Sequence, residues 1–546
     1  MPTPRKKHHS PLKTNQPPLR AAVIGSGFGG LAVAIRLQSQ GIQTTLYEAL
    51  PQLGGRAGYF EDQGYKFDMG PTVITAPDTL EELFTLSGRR LQDFQELIPL
   101  TPMYRLFWED GVHFDYHQDE KKLLAEIKKV SPEDVAHYDE YFSYCMKVFQ
   151  EGYVKLCHVP FQSFWDMAKV APKLLQLSAQ LSVYSKVKTF FKSEKIRQAF
   201  SFNSLLIGGH PFRASAIYSL IHPLERAQGV HWAKGGTHSL VSALGRLFRE
   251  IGGTIKTNAR VDTILTENDQ VTGVRLDDGH QQRFDMVISN GDVVQTYRKL
   301  LRHHTPSVKV GEKLTRKSHS MSLFVMYFGT NRKFPGILHH NVMFGPRYKD
   351  LLDDIFDRGI VADDFSLYLH APSLSDPSMA PEGGETFYVL APVPHLGPHA
   401  GQSLSGHSPN GSRSEPYDWK NKAQSYGDRI IDYLDQRYLP GLKQSIVVRH
   451  HMTPLDFESK LDAFNGAAFS LEPILTQSAY FRIHNRDDRL KGLYFVGAGT
   501  HPGAGIPGVV GSAKATAHVI FNDYAKDLAY EQQPSPNKQQ WAPTTP

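Results

Sequence analysis

The chain has 546 residues, too many for one ordinary hydrophobic core, so two or three lobes are expected. Its composition, 40% hydrophobic and 21% charged, is that of a globular protein, and a net charge of +5 at this length does not point to nucleic acid, for which no module is present. The only cysteines, Cys145 and Cys157, exclude a disulfide scaffold and suit a reducing compartment.

Residues 1–19 are basic and proline-rich and lack the apolar run of a secretion signal, so a disordered tail is expected there. No window reaches the ~18 uninterrupted apolar residues of a membrane span. The strongest pattern runs from Val23 to Glu48. A short apolar strand leads into Gly25, Gly27 and Gly30, spaced as G-x-G-x-x-G, then a helix, a second strand and Glu48 at that strand's carboxyl end. The first glycine permits a tight turn, the second close approach of a pyrophosphate, and the third close packing of helix on strand. Glu48 is placed to accept hydrogen bonds from an adenosine ribose and disfavours a 2′-phosphate, which selects FAD or NAD over NADP.

Downstream, Gly54-Gly55-Arg56 can pass close to a dinucleotide while the guanidinium pairs with its phosphates, although an exposed turn reads equally well. Phe67-Asp68-Met69-Gly70-Pro71-Thr72 reads as an extended segment entering a Gly-Pro turn that can lie along a flavin. Residues 81–235 have helical periodicity and many aromatics, with Ser131-Pro132 as one helix start. Within them, Pro172 is expected to open a helix on which Leu174, Leu177, Leu181, Tyr184, Val187 and Phe191 form a stripe flanked by Lys173, Lys186, Lys188 and Lys192. Spacing alone favours a core-facing helix over one lying in a bilayer interface. Asp166, between Trp165 and Met167, is a candidate acid/base group because burial would raise its pKa; the alternative is a carboxylate that faces water or caps a turn. Glu225 and Arg226 read equally as functional groups or as a structural ion pair, and His222 as a satisfied helix histidine rather than a catalyst.

From Gly235 the dinucleotide-binding pattern returns: a helix ending at Gly252-Gly253, a strand over TIKTNARVDTIL, a hairpin closed at Asp278-Gly279, and a buried strand, DMVISNGD. Residues 320–396 alternate as sheet and can floor an apolar tunnel, whereas 397–416 read as a flexible insertion. Near the end, a strand and the glycines Gly497, Gly499, Gly503 and Gly505 precede a helix beginning at Ile506. The last stretch, 526–546, reads as a second disordered tail. No Cys/His cluster has zinc spacing; His339 and His340 are merely adjacent, and no metal is expected.

Taken together, FDMGPTVIT, SVYSKV, RQAFSFNSLLIGG, APVPHLG and above all GLYFVGAGTHPGAGIPGVVGSAKATA resemble the bacterial-type phytoene desaturases, a carotenoid branch of the flavin amine-oxidase-like fold. The resemblance extends from about Arg20 to about Tyr524. It implies an α/β architecture: a discontinuous Rossmann-like FAD-binding domain (20–80, 236–319, 481–525), a mixed sheet/helix substrate domain (320–480) and a helical, membrane-facing part (81–235). It also implies that Val261 contacts adenine through its backbone and that the helix from Ile506 points its amino end at the flavin. The partners implied are a long hydrocarbon polyene, a membrane lipid surface and a quinone or oxygen as electron acceptor, with FAD as the only cofactor because there is one fingerprint. The same resemblance reverses the preference at the lysine-flanked stripe, since an insoluble substrate must be collected from lipid, and places a peripheral membrane protein on the cytoplasmic side. The reaction implied is successive desaturation of phytoene towards lycopene by hydride transfer to flavin with loss of a vicinal proton. Desaturation of another polyene, redox-neutral carotenoid isomerisation and amine oxidation stay open on this scaffold, as do the number of double bonds introduced and the oligomeric state.

Overall fold

The computed structural model describes residues 17–398 and 417–528. The tails expected at 1–19 and 526–546, and the 397–416 insertion, lie mostly outside the described residues.

Five strands from opposite ends of the chain form one parallel sheet, in the order Leu493–Phe495, Met286–Ser289, Arg20–Ile24, Gln43–Tyr47, Thr254–Lys256. The central strands are apolar along most of their length because both faces are covered. On one face, helices Phe28–Ser39, Thr237–Glu250 and Ile506–Asp523 pack Leu31, Leu240, Leu244 and Val510 onto Ala21, Val23 and Ile288. On the other, Val261, Ile264 and Val274 of a three-stranded antiparallel sheet cover Ala22, Tyr47 and Val287. The single strand expected over TIKTNARVDTIL is therefore two, Thr254–Lys256 and Val261–Glu267, in different sheets. Between them the chain turns at Asn258, whose φ of 51° is in the left-handed region that asparagine tolerates.

A seven-stranded mixed sheet forms the second lobe, ordered Ile446–Met452, Ser322–Thr330, Glu385–Val393, Leu367–His370, His340–Phe344, Tyr104–Trp108, His113–Tyr116. Along Ser322–Thr330 the side chains alternate between two cores. Phe324, Met326 and Phe328 pack under the helix Trp419–Arg437, whereas Leu323, Val325 and Tyr327 face a cluster continuous with the helices of 138–232.

Residues 81–235 are thus less uniformly helical than their periodicity suggests. They supply the last two strands at one edge of the seven-stranded sheet, whose alternating buried positions Tyr104, Leu106, Trp108 and Phe114, Tyr116 mark them as strands. Nor does one helix run from Pro172 to Phe191. A helix spans Phe164–Gln176 with Pro172 inside it, the chain turns at Ser178 (φ 62°), and a short helix, Val183–Val187, restarts on a Ser182 cap. Leu174, Leu177, Val187 and Phe191 of the expected stripe are buried in the protein. Ser131 precedes a helical turn, Pro132–His137, but its side chain makes no capping hydrogen bond.

Packing is very tight where the glycine-rich helix meets its strand: a Cβ on Gly30 would lie 2.0 Å from the Gly25 carbonyl oxygen. Gly30→Ala is therefore expected to destabilise the protein by at least the ~1–3 kcal/mol typical of core overpacking. The measurement is denaturant unfolding followed by circular dichroism, and an unchanged midpoint would contradict this helix–strand seating.

Candidate active site

Two helices that follow glycine-rich turns open onto one cavity of about 600 Å³. The helix Phe28–Ser39 is capped by Gly27 and the helix Ile506–Asp523 by Gly505, in neither case through a side-chain hydrogen bond. Their first backbone N–H groups have no partner from a cap, and Gly27, Phe28, Gly29 and Gly505 to Val509 line the cavity. Two positive helix ends on one cavity favour an anionic ligand.

At the end of the second strand, Glu48 is held rigidly. One carboxylate oxygen accepts from the Ser26 N–H (2.9 Å) and the Ser26 hydroxyl (2.5 Å), and the other from the Leu50 N–H (2.9 Å). The oxygen bonded to Leu50 keeps a lone pair for a ribose. Arg56 lines the same end; its Nε is buried without a hydrogen-bond partner, and burial pulls its pKa down while Asp292 pulls the other way. The backbones themselves crowd here. A Cβ on Gly29 would meet the Asn290 amide at 2.7 Å and Gly497 at 3.2 Å, and one on Gly70 would lie 2.1 Å from the Arg56 carbonyl. Open helix ends, a fixed carboxylate, a buried guanidinium whose Nε has no hydrogen-bond partner among the described residues, and side-chain-free walls fit a dinucleotide with a pyrophosphate.

Of the residues expected to bind the cofactor, Gly25, Gly27, Glu48, Gly55 and Arg56 line the cavity, as do Gly70, Pro71, Thr72, Val261, Gly505 and Ile506. Gly30, Gly497 and Gly499 sit behind the wall and let it form: a Cβ on Gly499 would lie 2.5 Å from Val293. Beyond Thr72 the cavity runs along the seven-stranded sheet, lined by Leu323, Val342, Phe344, Leu390 and Pro392, and by Ile217 and Leu220 opposite.

Asp166 does not belong to the site. It is the third residue of the helix Phe164–Gln176, where it forms a capping box with Ser163: its carboxylate accepts the Ser163 N–H (2.9 Å) and the Gln162 N–H (3.2 Å). These bonds hold its pKa below the usual carboxylate range, opposite to the raised value expected for a buried group, and it does not line the cavity. Glu225 and Arg226 do not pair either. Arg226 binds Glu120 (3.0 Å) and the Tyr138 hydroxyl (2.9 Å), while Glu225 is enclosed elsewhere. His222 is buried between the hydroxyls of Tyr116 (2.5 Å) and Tyr138 (3.2 Å), and burial pushes its pKa well down.

Several contributors were not visible as motifs. Ser26, Asn290 and Asp292 lie at the carboxyl ends of parallel strands, the place where ligands bind in open α/β sheets, and that position was their available signal. Asp292 caps the short helix Val293–Gln295 through the Val294 and Gln295 N–H groups (2.9 and 3.2 Å). Arg482 is buried and donates to the carbonyls of Ala498 (2.6 Å), Leu471 (3.2 Å) and Gln477 (3.3 Å), joining the loop after Phe495 to the 471–477 segment. The Tyr368 hydroxyl bridges Thr72 (2.6 Å) and His340 (2.7 Å). The strand register His340↔His370 also groups His339, His340 and His370, one ring nitrogen of each lying within 4.8 Å of the others. Such a grouping depends on pairing across the sheet and leaves no local spacing to read.

Residues 28–521 match the family model of the flavin-containing amine oxidoreductases. The chain is 52% identical to a lycopene-forming phytoene desaturase from Pseudescherichia vulneris over 92% of this chain and 99% of that protein. It is 51% identical to another from Pantoea ananas, with the same coverage. Among solved structures, cyclohexylamine oxidase from Brevibacterium oxydans shares the fold, with a TM-score of 0.58 and 16% identity over 93% of this chain and all of that one. With the dinucleotide cradle and these matches together, the chain belongs to the flavin-containing amine oxidoreductase family, in its bacterial phytoene desaturase branch, and FAD is the cofactor its cradle serves.

Proposed function

We propose that this protein desaturates phytoene in successive steps to lycopene at the surface of a membrane. The observation that carries this reading is continuity. One cavity has the dinucleotide cradle at one end and, past Thr72, aliphatic and aromatic walls that suit a hydrocarbon. Bound FAD supplies the two-electron acceptor for an allylic hydride. The protein fixes the cofactor through Glu48, Arg56 and the helix ends, lays the polyene along the seven-stranded sheet and keeps water from the reacting carbons.

Membrane capture is supported by a different surface from the expected stripe. On the helix Phe164–Gln176, Met167 and Leu174 line the cavity, while Phe164, Trp165 and Leu175 are 58%, 72% and 56% exposed. Lys169 and Lys173 are exposed on the same helix, and Phe481 lies on the neighbouring turn, where Tyr480 meets Phe164 at 6.2 Å. An apolar rim with flanking lysines at a cavity wall suits a helix seated in anionic lipid, with the polyene entering beside it. No helix among the described residues is long and apolar enough to cross a membrane. The two free, buried thiols agree with a cytoplasmic-face location. We assign reoxidation to a quinone or oxygen because the sequence carries one dinucleotide fingerprint.

Co-expression with a phytoene-producing pathway is expected to yield lycopene, and a protein with full flavin content that leaves phytoene unchanged would overturn the reading. In liposome flotation, Trp165→Ser with Leu175→Ser is expected to weaken binding about a hundredfold, from ~1.5 kcal/mol per inserted side chain. Flavin content should be retained; by contrast, Leu177→Ser should lower folded yield, because Leu177 is buried. In oxygen-free liposomes containing phytoene, turnover should stop after the bound flavin is reduced and resume on adding a quinone.

A further inference from the structure

Four carboxylates line the cavity among the described residues: Glu48, Glu225, Asp292 and Asp462. Three have evident structural tasks. Glu48 is fixed by Ser26 and Leu50, Asp292 caps a helix, and Asp462 pairs with Lys299 at 2.5 Å. Glu225, on the helix Ile221–Gln228, is different. It is fully buried, and among the described residues it has no ion-pair partner. The Tyr104 hydroxyl donates to one oxygen at 2.6 Å and the Asn203 amide to the other at 2.9 Å.

A buried, uncompensated carboxyl group is costly to keep unless it has a use. This one stands in the polyene-facing part of the cavity beside Phe202, Asn203 and Leu224. It also adjoins the polar group that begins at the cofactor wall. Tyr104 stacks obliquely on His340 at 5.7 Å, and His340 is joined through Tyr368 to Thr72.

We propose that Glu225 is the base of the desaturation, with Tyr104 and Asn203 as its positioning residues. This rests on the desaturase reading above. As one allylic carbon gives up a hydride, with its electron pair, to the flavin, the neighbouring C–H bond breaks. Its proton forms an O–H bond with the Glu225 carboxylate, and its electron pair becomes the new double bond. Glu225 then releases the proton to solvent before the next step.

The protonation behaviour agrees with this placement. Burial raises the Glu225 pKa to about 8, while the Tyr104 and Asn203 hydrogen bonds act in the opposite direction. Of the other titratable groups packed nearby, Tyr116 feels the Glu225 charge, whereas Arg226 and His222 on its own helix are engaged elsewhere, by Glu120 and Tyr138 and by Tyr116 and Tyr138. A base must be ionised, so turnover should rise as pH rises through about 8.

The test uses flavin-loaded protein on liposomes containing phytoene, with rate per bound flavin measured against pH. Glu225→Gln is expected to lower the rate about 10²-fold, the lower end for loss of a general base, and to abolish the alkaline rise. Flavin content and flotation should stay unchanged. Tyr104→Phe removes a hydrogen bond that favours and positions the carboxylate, so it should lower turnover less than Glu225→Gln does and move the rise to higher pH. Without substrate, infrared spectra of the wild type should show a carboxylic C=O band that disappears through about pH 8 and is missing in Glu225→Gln. A Glu225→Gln rate and pH profile equal to wild type would overturn the proposal. If that variant fails to fold, an unmoved rise in Tyr104→Phe would overturn it instead. Wild type that converts no phytoene would refute the desaturase reading itself, whatever the infrared result.

Discussion

Backbone must touch backbone for this structure to exist. The Gly25 carbonyl occupies the space a Cβ on Gly30 would need, and the Asn290 amide occupies that of both Gly29 and Gly497. Three passes of the chain, near residues 25, 290 and 497, converge within a few ångströms. The cofactor cradle is the surface of that convergence. No single segment can form it alone, and its contacts are separated by more than 200 residues, so its formation is non-local.

The second lobe obeys a different constraint. Its sheet is buried on both faces, and the period-two alternation of Ser322–Thr330 divides one strand between a structural core under the helix Trp419–Arg437 and a cavity-side core. An apolar wall so built tolerates few polar groups, and most of those present are paired. Thr72 is bonded to Tyr368, and Glu225 to Tyr104 and Asn203.

Much of the cofactor end was legible in the sequence because it is encoded by backbone requirements. Glycine at 25, 27, 30 and 70 answers to close approach or an unusual torsion, and Glu48 to a strand end. The sheet of the second lobe was legible for a similar reason, since its alternation is local. What failed was orientation. Leu177 and Leu181 share a periodic pattern with Val187, yet the turn at Ser178 breaks the helix and sends most of the stripe inward. Asp166 has apolar neighbours in sequence but, as a cap residue, faces its own backbone. Glu225 reads as half of an ion pair with its neighbour because consecutive helix residues look adjacent on paper; on the helix they diverge by ~100°. Periodicity reports that a face exists, not what covers it.

Arg482 links two regions that otherwise have separate tasks. Its guanidinium binds Ala498, beside the cofactor wall, and also Leu471 and Gln477, which lead into the turn bearing Phe481. The clamp makes the floor of the flavin site and the rim of the cavity a single mechanical unit. A cofactor that stabilises one side of such a unit stabilises the other. The same three hydrogen bonds therefore support a cavity-lining residue, Ala498, and the approach to the exposed Phe481 at once.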